Sequence, residues 1–353
     1  MIDTPHITIL GGGPAGLAAA WYAHQAAIEF DVFEASSTIG GNCRTIRFGD
    51  FLVDTGAHRL HDRDDDMIAI ARRLLGDDLL RVEAPSQMLH NGTLLDFPLA
   101  PLNLARGLPL RTVAAIAREN IALRLRRSHP AKNFGAIARS LYGKTLASLA
   151  LLNYSEKLWG CDPDELMPEV AGARLARLDL RSFVMEAFGS RSTTRRHLDG
   201  AFYYPRLGIG QFFERIGEQF TDRIHLSSRI ARIDHDGGSI VAVHTSDGRR
   251  RDIATVINTL PIGMTVDLLS PRAPDHVVTA ARSLRFRHLR LCILIVARER
   301  ISHNASIYFP DSSVPFTRLY ESKNRSIAMA PASQTALVLE VPCDSNDRLS
   351  RLG

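Results

Sequence analysis

The sequence has few cysteines and no long apolar run, and each shortage excludes a class of protein. Its four cysteines lie far apart in 353 residues, without the CxxC spacing of a zinc site or the clustering of a disulfide framework, so we expect no metal site. No stretch approaches the ~18 apolar residues that a membrane span requires. No basic leader precedes the first strand-like segment. These features predict a cytoplasmic protein with reduced thiols.

Acidic residues are nearly missing from residues 101–147, which hold nine Lys or Arg against one Glu, whereas residues 1–100 hold 7 Lys or Arg against 14 Asp or Glu. The excess of positive charge behind the net +5 is therefore concentrated in one segment, and we expect no nucleic-acid partner. The stretch "RTVAAIARENIALRLRRSHP" predicts a helix. Its apolar residues recur near helical spacing at Val113, Ile116, Ala117, Ile121 and Leu125. Two interpretations stay open: a core-packed helix with a solvated basic face, or peripheral contact of residues 101–147 with an anionic partner or membrane surface.

The order of apolar segments predicts an α/β fold. "HITIL" is typical of a buried strand, "AGLAAAWYAHQAA" of a helix and "FDVFEA" of a second strand, which together form a βαβ unit with a parallel sheet. Residues 66–76 and 100–185 are mostly helical in pattern. "RIARIDHDGG" and "SIVAVHTSDGRR" alternate apolar and polar residues around Gly-Gly and Asp-Gly turns, as in a β-meander. A helix-rich block thus interrupts a nucleotide-binding sheet, which indicates two domains woven from discontinuous segments.

A glycine-rich turn follows the first predicted strand. Gly11, Gly13 and Gly16 match the GxGxxG pattern between a strand and a helix, where the glycines permit a tight turn, close approach of a pyrophosphate and close helix packing. Glu34 ends the second strand 18 residues past Gly16, close to the spacing of about 20 expected for a carboxylate that binds ribose hydroxyls. The pattern predicts a dinucleotide with an unphosphorylated ribose.

A second glycine pair sharpens this prediction. "ASSTIGGNCRT" places Gly40 and Gly41 just beyond Glu34, followed by Arg44, which can neutralise a diphosphate. The arrangement resembles the flavoprotein amine oxidase superfamily, which includes protoporphyrinogen oxidases, monoamine oxidases and UDP-galactopyranose mutases, all FAD proteins. The likeness continues through "GDFLVDTGAHRLH", "HNGTLLDFPL", "YSEKLWGCDPDEL", "AFYYPRLGIGQ", "VINTLPIGM" and "VPFTRLYESKN", and so covers nearly the whole chain.

The resemblance implies FAD as cofactor and a division of the chain. It places a Rossmann-like FAD-binding domain at residues 1–85 and 205–270, and a mainly helical substrate-binding domain at 86–204 and 271–353. In the superfamily, a later glycine-rich stretch returns to the flavin domain and covers the cofactor. We expect this sequence without that stretch to bind FAD weakly, or to oligomerise if another chain supplies the missing cover. The implied cofactor-binding residues are Gly11, Gly13, Pro14, Ala15, Gly16, Glu34, Ala35, Gly41, Asn42, Arg44, Thr55, Gly56, Ala57, His58, Ile230 and Thr259.

The resemblance also leaves three functions open. The favoured one is an FAD-dependent oxidoreductase that takes a hydride from a small-molecule substrate. The alternatives are a sugar isomerase like the UDP-galactopyranose mutases, acting with reduced FAD, and a non-catalytic FAD-binding protein. The candidate catalytic residues are His58 and His61, which match the mutases' histidine pair, and Arg318, which matches an arginine of their sugar-diphosphate cleft. An arginine there suits a nucleotide-sugar or another anionic substrate.

Overall fold

The computed structural model describes residues 6–62, 64–97, 99, 101–125, 132–171, 201–345 and 347, and the chain divides into two compact units. The first unit comprises residues 1–60, 64–80 and 203–286. The second comprises residues 61–63, 81–202 and 287–353. The helical pattern expected over residues 172–185 lies outside the described residues.

The described α-helices and strands follow one another along the chain. The helices are α1 (Pro14–Gln25), α2 (Asp65–Leu75), α3 (Pro101–Gly107), α4 (Leu110–Leu125), α5 (Phe134–Ala147), α6 (Asn153–Trp159), α7 (Gly210–Gly217), α8 (Ile262–Leu268) and α9 (Asp275–Ser283). The strands are β1 (Ile7–Leu10), β2 (Phe30–Phe33), β3 (Thr45–Phe48), β4 (Phe51–Asp54), β5 (Leu79–Glu83), β6 (Ser86–His90), β7 (Thr93–Phe97), β8 (Ala201–Pro205), β9 (Ile224–His225), β10 (Ile230–His235), β11 (Ile240–Thr245), β12 (Arg250–Asp252), β13 (Thr255–Asn258), β14 (Leu269–Ser270), β15 (His288–Val296), β16 (Ser306–Tyr308), β17 (Arg318–Glu321) and β18 (Thr335–Cys343).

A four-stranded parallel sheet in the order β13-β1-β2-β9 forms the centre of the first unit. The apolar, mostly β-branched run of β1 is buried between its two neighbours, and α1 connects β1 to β2. Leu17 and Trp21 of α1 pack with Val32 of β2 and Phe212 of α7 in one core cluster. The predicted βαβ unit and its parallel sheet are confirmed.

A second sheet of the first unit has the order β12-β11-β10-β14. The pairs β10–β11 and β11–β12 are antiparallel, as expected of the β-meander. The turn between β10 and β11 closes because Asp236 Oδ1 accepts hydrogen bonds from the backbone N–H groups of Gly238 and Ser239. Leu10, Phe33 and Ile233 belong to a core cluster shared by the two sheets, which sets the meander beside the ends of β1 and β2.

The second unit combines helices α3–α6 with a six-stranded sheet in the order β15-β18-β17-β16-β6-β7. Only the helical part was anticipated from the sequence. The sheet pairs Ser86 of β6 with Ser306 of β16, which lie 220 positions apart in the chain. No local sequence pattern predicts such a pairing. It is the sheet that carries Arg318, because that residue begins β17.

Helix α4 has two unlike faces. Val113 and Ile116 pack against a core cluster of the second unit, and Asn120 is buried with its Nδ2 donating to the carbonyl oxygens of Ile116 and Tyr142. The expected core-facing stripe is wrong for Ala117, which is exposed, and for Ile121 and Leu125, which are 60% and 84% exposed. Ile121 and Leu125 lie about a quarter to a third of a turn away from the packed face. Within the described part of the chain, no helix has the length and apolarity needed to cross a membrane.

Candidate functional site

The first glycine-rich turn joins β1 directly to α1. Gly11 has φ of +103°, and a Cβ there would stand 2.5 Å from Thr259 Oγ1. A Cβ at Gly16 would stand 1.8 Å from the carbonyl oxygen of Gly11, so only glycine allows the helix to pack this closely on the strand. Gly13 precedes the helix, Pro14 occupies its first turn, and no side chain caps it. The start of α1 therefore presents backbone N–H groups of the kind that bind phosphate.

The second glycine pair lies directly against this turn. Gly40 N donates to the carbonyl oxygen of Gly12 at 2.9 Å. Gly41 has φ of +52°, and a Cβ there would stand 3.0 Å from the Cα of Gly13. The two loops thus meet backbone to backbone, with Ala15 exposed beside them. A backbone-lined surface without side chains is what a diphosphate needs for close approach.

Glu34 lies at the end of β2, where its carboxylate is fixed by two backbone groups. Oε2 accepts from Gly12 N at 2.7 Å and Oε1 from Ser36 N at 2.8 Å, and Ala35 between them is exposed. Each carboxylate oxygen keeps a further lone pair, because a carboxylate offers about four acceptor positions. Glu34 can therefore accept hydrogen bonds from ribose hydroxyls while it remains anchored beside the glycine turn.

Two later segments come to the same end of the parallel sheet. Ser228 N donates to the carbonyl oxygen of Glu34 at 2.8 Å, which brings the start of β10 beside β2. Ile230, one of the implied cofactor-binding residues, is 6% exposed and pairs with Thr245 of β11. Thr259 follows β13, and its Oγ1 donates to the carbonyl oxygen of Leu10 at 2.7 Å. These positions gather around the turn although more than 200 residues separate them from it.

Arg44 is held along the second glycine loop. Its Nε donates to the carbonyl oxygen of Gly41 at 3.1 Å and its Nη1 to Thr38 Oγ1 at 3.2 Å. Its backbone N–H donates to Thr55 Oγ1 at 3.1 Å, and Thr55 Oγ1 lies 2.6 Å from the carbonyl oxygen of Asn42. Arg44 as a residue is half-buried beside the glycines, where its positive charge complements a diphosphate.

His58 lies in the segment that follows β4. Its backbone N–H donates to the carbonyl oxygen of Gly56 at 2.9 Å, and its ring rests against Gly56, where a Cβ would stand 3.0 Å from Nε2. Nε2 lies 2.8 Å from the carbonyl oxygen of Asn42. The intervening Ala57 is half-buried. His58 therefore belongs to the same loop cluster as Gly41 and Arg44.

A buried carboxylate that the sequence did not single out as a site residue supports this loop cluster. Asp54 is 1% exposed; its Oδ1 accepts from Thr45 Oγ1 at 2.7 Å and from Ile209 N at 3.0 Å, and its Oδ2 accepts from Tyr204. A Cβ at Gly210 would stand 2.6 Å from the backbone N of Thr45. The glycines of "RLGIGQ" thus serve close packing of this segment on β3. In the sequence, the signal that could have identified this residue was an Asp placed just before the histidine segment.

Arg318 lies in the second unit, where its guanidinium fork pairs with a buried carboxylate. Nε donates to Glu340 Oε2 at 2.7 Å and Nη2 to Glu340 Oε1 at 2.9 Å, and the ring of Tyr308 lies 5.9 Å away. Burial lowers the pKa of Arg318, but the Glu340 carboxylate more than offsets this, and the pKa rises above its ordinary value. Burial raises the pKa of nearby Tyr154 to about 12. The cluster therefore holds a permanent cation at Arg318 and a neutral phenol at Tyr154 at physiological pH.

Lys157 fixes the loop between β16 and β17, which carry Tyr308 and Arg318. Its Nζ donates to the carbonyl oxygens of Phe309 and Asp311 at 2.7 Å and of Phe316 at 2.8 Å. Burial lowers the pKa of this lysine to about 8. No sequence pattern predicted this contact, since residues 157 and 309 are far apart in the chain.

The predicted site residues thus fall into two groups. The first unit brings together the glycine loops, Glu34, Arg44, His58 and Thr259. The second unit holds His61, which is half-buried, and Arg318. The first group has the features of a dinucleotide cradle, and the second has those of a polar cluster built on a sheet.

The chain is similar to known proteins over most of its length. The family model of flavin containing amine oxidoreductases matches residues 14–341. The coproporphyrinogen III oxidase of Bacillus subtilis (strain 168) is 22% identical over 293 residues, covering 75% of this chain and 62% of that protein. This chain therefore spans less than two thirds of that relative's length.

Two solved structures share the fold across nearly the whole chain. A reduced UDP-galactopyranose mutase matches with a TM-score of 0.86 and 21% identity, over 99% of this chain and 76% of the other. A protein from Exiguobacterium sp. 255-15, assigned as a protoporphyrinogen oxidase, matches with a TM-score of 0.76 and 19% identity, over 100% of this chain and 80% of the other. At such identities the matches establish the fold alone.

Proposed function

Because this chain belongs to the family of flavin containing amine oxidoreductases, we propose that it is an FAD-dependent oxidoreductase acting on a small-molecule substrate. One observation carries the proposal: the two glycine loops meet backbone to backbone beside a carboxylate anchored on Gly12 N at 2.7 Å. A cradle without Cβ atoms, next to a fixed acceptor for ribose hydroxyls, fits the adenosine diphosphate half of FAD.

Different residues of the first unit would bind different parts of such a cofactor. The start of α1 and the loop at Gly41 would bind the diphosphate, Arg44 would balance its charge and Glu34 would bind the ribose. FAD, when bound, supplies the capacity to accept a hydride from substrate. The protein contributes orientation and electrostatics through the loop that carries His58.

The second unit supplies the chemistry proposed for substrate recognition. Arg318 retains its charge beside Glu340, and Tyr154 stays protonated, because burial raises its pKa to about 12. A phenol and a guanidinium edge recognise oxygen atoms of anionic molecules. We propose an anionic small molecule, such as a nucleotide-sugar or a carboxylate, as the substrate class.

Cofactor binding is tested by titrating the flavin-free protein with FAD and following flavin fluorescence. Replacing Glu34 with Gln removes a charged acceptor whose hydrogen bonds are worth about 1.5–3 kcal/mol, so we expect the Kd to rise by roughly 10- to 100-fold. Glu83→Gln is the matched control, because that carboxylate is exposed and pairs with Arg81. Equal FAD affinity of Glu34→Gln and the wild type would refute the ribose-binding role.

A mutase-like isomerase is the second candidate, because His58, His61 and Arg318 match residues that the resemblance to the UDP-galactopyranose mutases implies. A reduced UDP-galactopyranose mutase also shares the fold over 99% of this chain. An anaerobic assay separates the two. Isomerisation of UDP-galactopyranose only by the reduced protein would support the mutase, whereas bleaching of the oxidised flavin by a substrate would support the oxidoreductase. Tight FAD binding with neither reaction, across a panel of anionic substrates, would identify a non-catalytic binding protein.

A further inference from the structure

Cys43 and His58 form a side-chain pair beside the second glycine loop. Cys43 Sγ lies 3.7 Å from His58 Nδ1, within hydrogen-bonding range for sulfur. The opposite ring nitrogen, Nε2, lies 2.8 Å from the carbonyl oxygen of Asn42. The two nitrogens of one imidazole thus contact consecutive residues of a single loop.

The chemistry of these partners assigns the ring protons. A carbonyl oxygen only accepts, so Nε2 must carry the hydrogen that bonds Asn42. In the neutral imidazole the other nitrogen, Nδ1, is then an acceptor, and the thiol of Cys43 is a donor. Burial, together with the charge of Asp54, raises the pKa of the Cys43 thiol, so the sulfur keeps its proton at neutral pH.

Packing leaves the ring little freedom to turn over. The ring of His58 lies against Gly56, where a Cβ would stand 3.0 Å from Nε2 and 3.5 Å from Cε1. Thr55 Oγ1 also lies 2.6 Å from the Asn42 carbonyl oxygen, which fixes the direction of that acceptor. A flipped ring would place Cδ2 opposite the thiol and Cε1 opposite the carbonyl, so both hydrogen bonds would be lost.

We propose that Cys43 is a positioning residue that, together with the Asn42 carbonyl, holds His58 as the neutral Nε2–H tautomer. A proton that reaches His58 is then taken up at Nδ1, on the side of the thiol, while Nε2 stays committed to the loop. The significance of this for catalysis rests on the proposed function, in which the His58 loop serves a flavin. The tautomer itself is a property of the flavin-free chain.

The test is NMR of flavin-free protein labelled with ¹⁵N-histidine, with His58 assigned among the 13 histidines by its loss in His58→Gln. We expect Nε2 to give the shift of a protonated nitrogen and Nδ1 that of an acceptor. Cys43→Ala should raise the Nδ1–H population by roughly 2- to 10-fold, the size of one neutral hydrogen bond. Cys43→Ser keeps a donor and should restore the wild-type spectrum.

Cys161→Ala is the matched control, since it removes a half-buried thiol elsewhere in the chain. A protonated Nδ1 in the wild type, or a His58 spectrum unchanged by Cys43→Ala, would overturn the proposal. FAD titration of the same samples keeps the two ideas separate. Absence of FAD binding with the expected tautomer would count against the cofactor assignment alone, and FAD binding with the wrong tautomer against the role of Cys43 alone.

Discussion

At the scale of single residues, several charged side chains of this protein are held by backbone groups. Glu34 accepts from two backbone N–H groups, and Lys157 and Lys323 each donate to three carbonyl oxygens. Such contacts fix a loop as firmly as they fix the side chain, because the partner is the chain itself. The loops that carry candidate site residues are therefore set by a few ionic anchors.

The contribution of Lys157 to the stability of the fold depends on pH. Its pKa is lowered from 10.5 in the reference state to about 8 in the folded chain, chiefly by burial. The unfolded state binds the proton more tightly, so this group's contribution to stability should improve as pH rises from about 8 to about 10.5. We expect Lys157→Met to lose that part of the pH dependence, measured as urea midpoints across the window. Lys144→Met, an exposed lysine, should keep it, and identical pH profiles for the wild type and Lys157→Met would contradict this account.

The residue scale also shows how far the sequence predicts the site. Gly11, Gly16 and Glu34 lie within one βαβ unit, so their spacing alone indicates their geometry. The partner of Arg318 cannot be read from spacing in the same way, although Glu321 lies only three residues away. The antiparallel register of β17 and β18 sets Arg318 opposite Glu340 instead, while Glu321 binds the backbone N–H of Ser302. Pairing that depends on register across a sheet is not encoded in local spacing, and binding of FAD itself stays a prediction.

At the scale of elements, α4 combines a packed face with an exposed face that is both apolar and basic. Leu110, Ile121 and Leu125 are 84%, 60% and 84% exposed, and Arg111 and Arg118 are exposed on the same side. Burying such leucines in lipid is favourable, and arginines attract anionic headgroups. We propose that this face contacts an anionic membrane surface.

Vesicle flotation tests the α4 face. We expect salt-sensitive binding to vesicles containing anionic lipid, reduced severalfold in the double variant Leu110→Gln/Leu125→Gln because apolar area is lost. Arg111→Gln/Arg118→Gln should weaken binding mainly at low salt. Leu226→Gln, which changes an exposed leucine of the first unit, should bind as the wild type does. If the wild type does not bind the vesicles, the remaining interpretation of α4 is a helix with a solvated basic face.

Helices and strands also differ in how well they can be predicted from the sequence. The unit β1-α1-β2 was predicted because its signals are local: a buried apolar run, glycines at the turn and a helix of alanines. The six-stranded sheet was not, because β16 has three residues and one of its partners, β6, lies 220 positions away in the chain. Short strands contribute little pattern, and their pairing is decided by tertiary contacts.

At the scale of the whole molecule, one sheet edge is a candidate surface for self-association. Among the described strands, β15 lies at the end of the six-stranded sheet and pairs over nine residues with β18. Leu289, Leu294 and Ile295 of this strand are 44%, 49% and 54% exposed. A long apolar edge strand is a template for pairing with another chain.

We therefore expect the protein to form concentration-dependent oligomers or aggregates through β15, detectable by sedimentation velocity. Ile295→Lys should shift the population toward the monomer, because a charge on an edge strand opposes strand pairing with a second copy. Val241→Lys is the matched control: it places the same charge on an exposed residue of β11, a strand paired on both edges, and should leave the sedimentation profile unchanged. If both variants dissociate the oligomers equally, added net charge rather than the β15 edge accounts for the effect. If the wild type sediments as a monomer at every concentration, the edge is not an association surface.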